Sequence, residues 1–324
     1  MPEMTFAQAL NAALREEMRQ DPAVVLLGED IGLHGGVFTV TRDLFSEFGI
    51  KRVRDTPISE AAFIGLALGA AMTGLRPVVE IMYMDFMLVA ADQIVNQVAK
   101  MRYMSGGQVK VPLVIRTQQG GGRGNGAQHS QSLDALWSHV PGLKVVLPST
   151  PSDARMLLKA SIRDDNPVIF IEHKLLYQTR GEVSLGDDAL PLGVAAIRRT
   201  GEDVTIAALS YSVLTALKAA EQLADEGISS EVIDLRSTQP LDIATIVQSV
   251  RKTSRLVLIH EAVQFGSILS EIAATVQELA LDSLDAPIRR VGALNGPLAY
   301  SQPLEQVLLP SSDQLVGVVR EVMR

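Results

Sequence analysis

Short runs without polar interruption alternate along the chain with longer runs of helix-like spacing. Residues 24–28 (VVLLG), 76–82 (RPVVEIM), 111–117 (VPLVIRT), 143–149 (LKVVLPS) and 167–172 (PVIFIE) are apolar nearly throughout. Strands of that kind are buried on both faces, as in a parallel sheet. Between them, 59–74, 85–105 and 151–163 predict helices, the second long and continuous. This alternation predicts a doubly wound α/β layer structure. From 177 to about 203 the pattern fails: YQTRGEVSLGDDALPLG is polar, glycine-containing and aperiodic, which predicts a linker. Alternation restarts with strands at 204–209, 230–235, 255–260 and 287–292, helices between them. The expected division is a first α/β domain over 1–180, a linker over 181–202, and a smaller α/β domain of about four strands over 203–324.

Composition narrows the classes. The chain has 324 residues, 47% hydrophobic and 20% charged, which suits two domains with large cores rather than disorder. A net charge of −8 argues against a nucleic-acid surface. With no cysteine there is no disulfide, thiol nucleophile or zinc–thiolate site. The opening MPEMTFAQALNAALREEMRQ carries Glu3, Glu16 and Glu17, wrong for a signal or transit peptide; it predicts an amphipathic helix capped by Thr5. No charge-free apolar run approaches the ~18 residues of a membrane span. A cytoplasmic location is expected.

The tract GGGRGNGAQHS (120–130) has five glycines in its first seven residues and leaves a predicted strand. Such a loop can cradle phosphate, act as a hinge, or border an active site. No lysine lies between Lys110 and Lys144, so a P-loop is excluded. A dinucleotide fingerprint would open directly into a helix, and no amphipathic run begins before about Leu133. A flexible surface loop is the default reading. His129 argues against it, because Gln128, Ser130, Gln131 and Ser132 surround an imidazole with groups too polar for a core.

DTPISEAAFIGLALGAAMTGL (55–75) places Ser59 as a helix cap and Glu60 in the first turn. A carboxylate there can simply complement the helix dipole, worth roughly 0.3–1 kcal/mol. The helix body is rich in alanine, with Gly65 and Gly69 inside it. Interior glycine costs ~1 kcal/mol against alanine, so a tightly packed, buried helix near a subunit contact is expected. Phe86, at the entry of the next helix, stands near a strand end. None of the histidines, His34, His129, His139, His173 and His260, has a helical metal spacing with another. Nor does the chain supply a phosphate-binding turn with acidic magnesium ligands. A diphosphate cofactor would need another chain to hold its phosphates.

Taken together, GED (28–30), GGVF (35–38), RVRDTPISEAAFIG, MTGLRPVVE, DQIVNQVAKMRYMSGG, QHSQS, HVPGLKVVLPSTPSDA and DLRSTQPLD resemble the β subunits of thiamine-diphosphate-dependent 2-oxo acid dehydrogenases, acetoin dehydrogenase included. The match is dense to about residue 180, moderate to about 265 and thin beyond. The resemblance implies a thiamine-diphosphate pyrimidine-binding domain followed by a transketolase-like C-terminal domain that mostly serves assembly. It implies that Glu60 hydrogen-bonds the aminopyrimidine ring and that Phe86 packs on it. It implies as well that Ile58 and Met82 line the same pocket and that His129 donates to substrate or lipoyl group. It further implies an α subunit holding diphosphate and magnesium in a heterotetramer, a lipoyl-bearing acyltransferase core, and a structural potassium ion at Leu113, Ser161, Ile162, Asp164 and Asn166. The glycine tract then becomes a mobile lip presenting His129. It departs from the family pattern, where bulkier residues are expected.

Two alternatives stay open. A transketolase-like half-enzyme acting on a sugar requires basic residues for phosphate, for which Arg116 and Arg123 are the candidates. A non-catalytic assembly partner would lack Glu60 or His129, and both are present. The sequence does not separate pyruvate, branched-chain 2-oxo acids and acetoin.

Overall fold

The computed structural model describes residues 1–186 and 189–324. Asp187 and Asp188 of the predicted linker lie outside the described residues. Two compact units emerge: Met1–Gln119 with Leu136–Leu192, and Gly120–Ala135 with Gly193–Arg324.

In the first unit, strands β1 (Val24–Gly28), β2 (Val53–Asp55), β3 (Arg76–Ile81), β4 (Val114–Gln119), β5 (Lys144–Val146) and β6 (Val168–His173) are parallel, in the order β5-β6-β4-β3-β1-β2. β1, β4 and β6 are buried at every position, as their uninterrupted apolar runs require. Helix α1 (Phe6–Gln20) begins in a capping box in which Thr5 and Gln8 satisfy each other's backbone N–H. It packs on a later helix (Pro151–Arg163), where Glu16 and Glu17 pair with Arg155, Lys159 and Arg163. Helix α2 (Glu60–Met72) runs between β2 and β3.

Two helical expectations are corrected. Ser59 occupies the cap position of α2, but its side chain makes no capping bond. Within this chain α2 turns Phe63, Ile64, Ala67 and Leu68 to the core and leaves Ala61, Ala62, Leu66 and Gly69 exposed, the face on which the expected subunit contact would fall. Gly65 does allow a close approach, since a Cβ there would sit 3.3 Å from Gln93 Oε1. The predicted helix at 85–105 is instead a 3-10 turn (Met84–Leu88), a π-helical stretch (Gln93–Val98) and a short α-turn (Met101–Met104). Spacing explains the break. Met84, Met87 and Ala90, all wholly buried, are three apart, the 3-10 period. Ala90, Ile94 and Val98 are four apart, and a wider turn keeps them in line. Accordingly Ala99 donates its N–H to the carbonyl of Ile94, five residues back, at 3.0 Å.

In the second unit, β7 (Ala196–Arg199), β8 (Val204–Ala208), β9 (Ser230–Asp234), β10 (Leu256–Val263) and β11 (Arg289–Ala293) form a sheet of order β11-β10-β8-β9-β7. The expected four strands are present and parallel. A fifth, β7, pairs antiparallel at the edge. It lies inside the predicted linker, and as a half-buried edge strand, AIRR, it lacks the apolar run that marks its neighbours. Val204, Ile206, Val213, Ala216, Leu223, Val257, Leu315 and Val319 build this unit's core.

Candidate active site

The parallel register aligns Gly28 with Asp55 on one side and Glu80 on the other. The segments leaving β1, β2 and β3 therefore emerge together at the carboxyl edge, where open α/β sheets bind ligands. Glu29 and Asp30 follow β1, Ile58 and Glu60 follow β2, and Met82 and Phe86 follow β3. Glu60 is buried, 6% exposed, at the first turn of α2, whereas Ile58 is 83% exposed and Met82 and Phe86 are half-buried. Four predicted site residues are thus gathered at one edge of the first unit.

Glu29 is an addition that the sequence reading gave no role. Burial, then the charges of Glu60 and Asp30, push its carboxyl up to about 7. Glu29 Oε1 and, next to β1 through the Thr56 N–H to Gly28 carbonyl bond of 2.9 Å, Thr56 Oγ1 are buried without a hydrogen-bond partner among the described residues. Two neighbouring acids with two orphaned polar oxygens at this edge fit a nitrogen-bearing heteroaromatic ring, whose donors and acceptors would satisfy them.

Arg116 is not available for phosphate. Its guanidinium bonds Glu172 at 2.7 and 2.9 Å and Glu80 at 2.7 Å, and all three side chains are buried. Burial alone would lower its pKa, but the charges of Glu172 and Glu80 more than reverse this. Tyr177 Oη donates to Glu172 at 2.6 Å. The basic cluster needed by a sugar-phosphate enzyme is therefore missing its first candidate.

Leu113, Ser161, Ile162, Asp164 and Asn166 lie around the opposite, amino ends of β4 and β6. Arg76 Nη1 donates to the carbonyls of Ile162 and Asp164 at 3.0 and 3.2 Å, so these oxygens face a common space, each with a second lone pair. The carbonyl of Leu113 accepts from Val168 and that of Ser161 from Asp164. Burial raises the Asp164 carboxyl, but bonds from Lys144 and Asn166 hold it below its ordinary value.

His129 belongs to the second unit, half-buried in the 120–135 excursion. Ala127 and Ser130 to Leu133 line a cavity of about 340 Å³ with Glu261, Asn295 and Leu298. The sequence reading also missed Asp134 and His260: Asp134 Oδ1 lies 2.8 Å from His260 Nε2 inside this unit.

The fold defines a transketolase-like protein of two α/β domains. The chain matches the transketolase pyrimidine-binding domain over residues 2–180 and the transketolase C-terminal domain over 193–315. A solved structure titled a split-gene transketolase, an inactive β4 tetramer, shares the fold at a TM-score of 0.79 with 24% identity, covering 99% of this chain and 98% of that one. Among relatives, a mitochondrial pyruvate dehydrogenase E1 component subunit β-2 of Oryza sativa subsp. japonica is 50% identical, covering 98% of this chain and 86% of that protein. A 2-oxoisovalerate dehydrogenase β subunit of Bacillus subtilis (strain 168) is 43% identical over 99% of both chains. An acetoin:2,6-dichlorophenolindophenol oxidoreductase β subunit of the same organism is 46% identical over 99% of this chain and 97% of that one. The chain belongs to the E1 β subunits of the thiamine-diphosphate-dependent 2-oxo acid and acetoin dehydrogenases. Membership implies an α partner and a place in a larger complex.

Proposed function

We propose that this chain supplies the pyrimidine half of an active site completed by an α subunit in a heterotetramer. That site cleaves a 2-oxo acid or acetoin and passes the acyl group to a lipoyl domain on an acyltransferase core. The observation that carries the reading is Glu60, buried at the carboxyl edge of the sheet beside a second acid, Glu29, whose pKa is raised to about 7.

When bound, thiamine diphosphate supplies the electron sink for cleaving the bond beside the carbonyl. Glu60 would hold a proton at its carboxyl oxygen against a ring nitrogen, and its burial keeps that bond out of water. A group so placed contributes typically ~10²–10⁴-fold as a general acid or base. Glu29, kept largely protonated below neutrality, would avoid a second negative charge beside it. Phe86 would pack on the ring, with Met82 and the exposed Ile58 on its flanks. His129 would donate a proton to the substrate oxygen or the lipoyl sulfur during acyl transfer. The exposed small-residue face of α2 suits a close contact with the α subunit, which would carry magnesium and the diphosphate. A potassium ion would rest on the free lone pairs of the Leu113, Ser161, Ile162, Asp164 and Asn166 carbonyls.

The test is reconstitution with the α subunit. Pyruvate, 3-methyl-2-oxobutanoate and acetoin are offered with a dye acceptor, then with a lipoyl domain. Turnover of one of them, dependent on both chains and on thiamine diphosphate, is expected. An assembled complex that turns over none of the three contradicts the reading.

A further inference from the structure

The glycine tract does not hang from the first unit as a free lip. Residues 120–135 are part of the second unit and are fastened to it at three places. The Gly121 N–H donates to Glu261 Oε1 at 2.6 Å, and the Gly124 N–H donates to Glu305 Oε2 at 2.9 Å. Asp134, at the far end of the excursion, meets His260 at 2.8 Å. All four side chains are buried, Glu305 to 1% and Glu261 to 7% exposure. Glu261 and His260 are neighbours on β10, and Glu305 sits in a short helix (Gln302–Leu308). The tract also closes on itself, with Gly120 donating to the Gln131 carbonyl at 3.4 Å and His129 to the Gly126 carbonyl at 3.3 Å.

The glycines serve this seating. A Cβ at Gly121 would lie 2.8 Å from Leu298 Cδ1 and 3.1 Å from Glu305 Oε1, inside ordinary contact distance. At Gly124, with φ of +65°, it would lie 2.9 Å from the backbone oxygen of Tyr300. Gly124 needs the absent side chain, since its neighbour is backbone and its φ is positive; at Gly121 the ends of Leu298, Glu305 and Leu309 would have to shift to admit one.

We infer that Glu261, Glu305 and His260 are positioning residues, by which the C-terminal unit holds the 120–135 excursion and sets the place of His129. This assigns that unit a part in catalysis beyond assembly. It rests on the proposed role of His129. Carboxyl oxygens buried against backbone N–H groups suit the task, because losing the acceptor leaves a buried donor unsatisfied. The short side chain of Ser130 and the cavity-lining Gln131 follow His129 directly, so a slip of the tract would move the imidazole with it.

The experiment uses the complex with the α subunit and compares the wild type, Glu305→Met, Glu305→Gln, His129→Ala and the double variant Glu305→Met/His129→Ala. Methionine keeps the bulk beside Leu298 and Leu309 but accepts no such bond; glutamine keeps a neutral acceptor. Amide hydrogen exchange is followed across residues 121–130, with turnover measured alongside. Losing this buried acceptor should speed exchange about 10–100-fold in Glu305→Met. An intermediate change is expected in Glu305→Gln, which is the fallback if the methionine variant does not fold. Turnover should fall in Glu305→Met, and the fall should disappear in the His129→Ala background, where a merely structural role would add to it. Exchange unchanged by Glu305→Met and Glu305→Gln overturns the inference, as does fast exchange with full turnover. If His129→Ala turns over like the wild type, the role given to His129 falls instead, and exchange still decides whether Glu305 holds the tract.

Discussion

Asp134 Oδ1 lies 2.8 Å from Nε2 of His260, with both side chains wholly buried and the two residues 126 positions apart in sequence. Burial alone would lower the imidazole's pKa. The charge and hydrogen bond of Asp134, with Glu261 beside it, outweigh that and raise it above 6.5. A group whose folded pKa is raised adds stability that is full below its unfolded pKa and is lost as pH rises through the folded value. The pair should therefore stabilise the second unit fully below about pH 6.5 and progressively less above it. Melting temperatures of wild type and His260→Gln should converge as pH rises from 6 to 9. A constant gap over that range contradicts the assignment.

Arg116 is the cation paired with two buried acids, Glu80 and Glu172. Arg116→Met would leave both without their cation in a buried setting, which costs about 3–5 kcal/mol. Denaturant unfolding should show that loss in the first unit. Arg116→Lys should fall between, since an ammonium cannot reproduce the two-pronged bond to Glu172. A methionine variant as stable as wild type would mean the cluster is already neutral.

The Glu29 carboxyl is raised to about 7 by burial and by the Glu60 and Asp30 charges. The sign follows the same rule as for His260: the protonated acid is favoured in the fold, so stability is full below about 4.5 and declines as pH rises through about 7. Glu29→Gln removes the titrating group. Its melting temperature should gain on the wild type between pH 5 and 8, and the wild type's carboxyl should titrate near 7 by difference spectroscopy in the isolated chain. An ordinary carboxylate value would contradict the burial of Glu29, the larger cause of its shift, together with its closeness to Glu60.

Local chemistry made much of this legible. The buried parallel strands announce themselves as apolar runs, because both faces of β1, β4 and β6 are covered. The capping box at Thr5 is equally visible. What depends on distant contacts is not. β7 carries too few apolar residues to stand out from a linker. The broken helix after β3 needs a choice between three- and four-residue spacings that an eye tuned to 3.6 merges into one. Glu60 and His129 were picked out by the residues around them, and the family resemblance gave them roles. Glu29 entered only as a letter of the GED motif, since its partner arrives 31 residues later, on another strand's exit. Glu261 and Glu305 carry no local mark at all; only folding brings them to the glycine tract.

The central claim is that the Glu60 carboxyl, buried at the start of α2, exchanges a proton with a bound ring. The most direct measurement is the rate of 2-oxo acid or acetoin turnover by the assembled α–β complex carrying Glu60→Gln, with assembly verified by sedimentation. Loss of at least ~10²-fold with the heterotetramer intact is the expected result. Turnover within a few-fold of wild type would contradict the account.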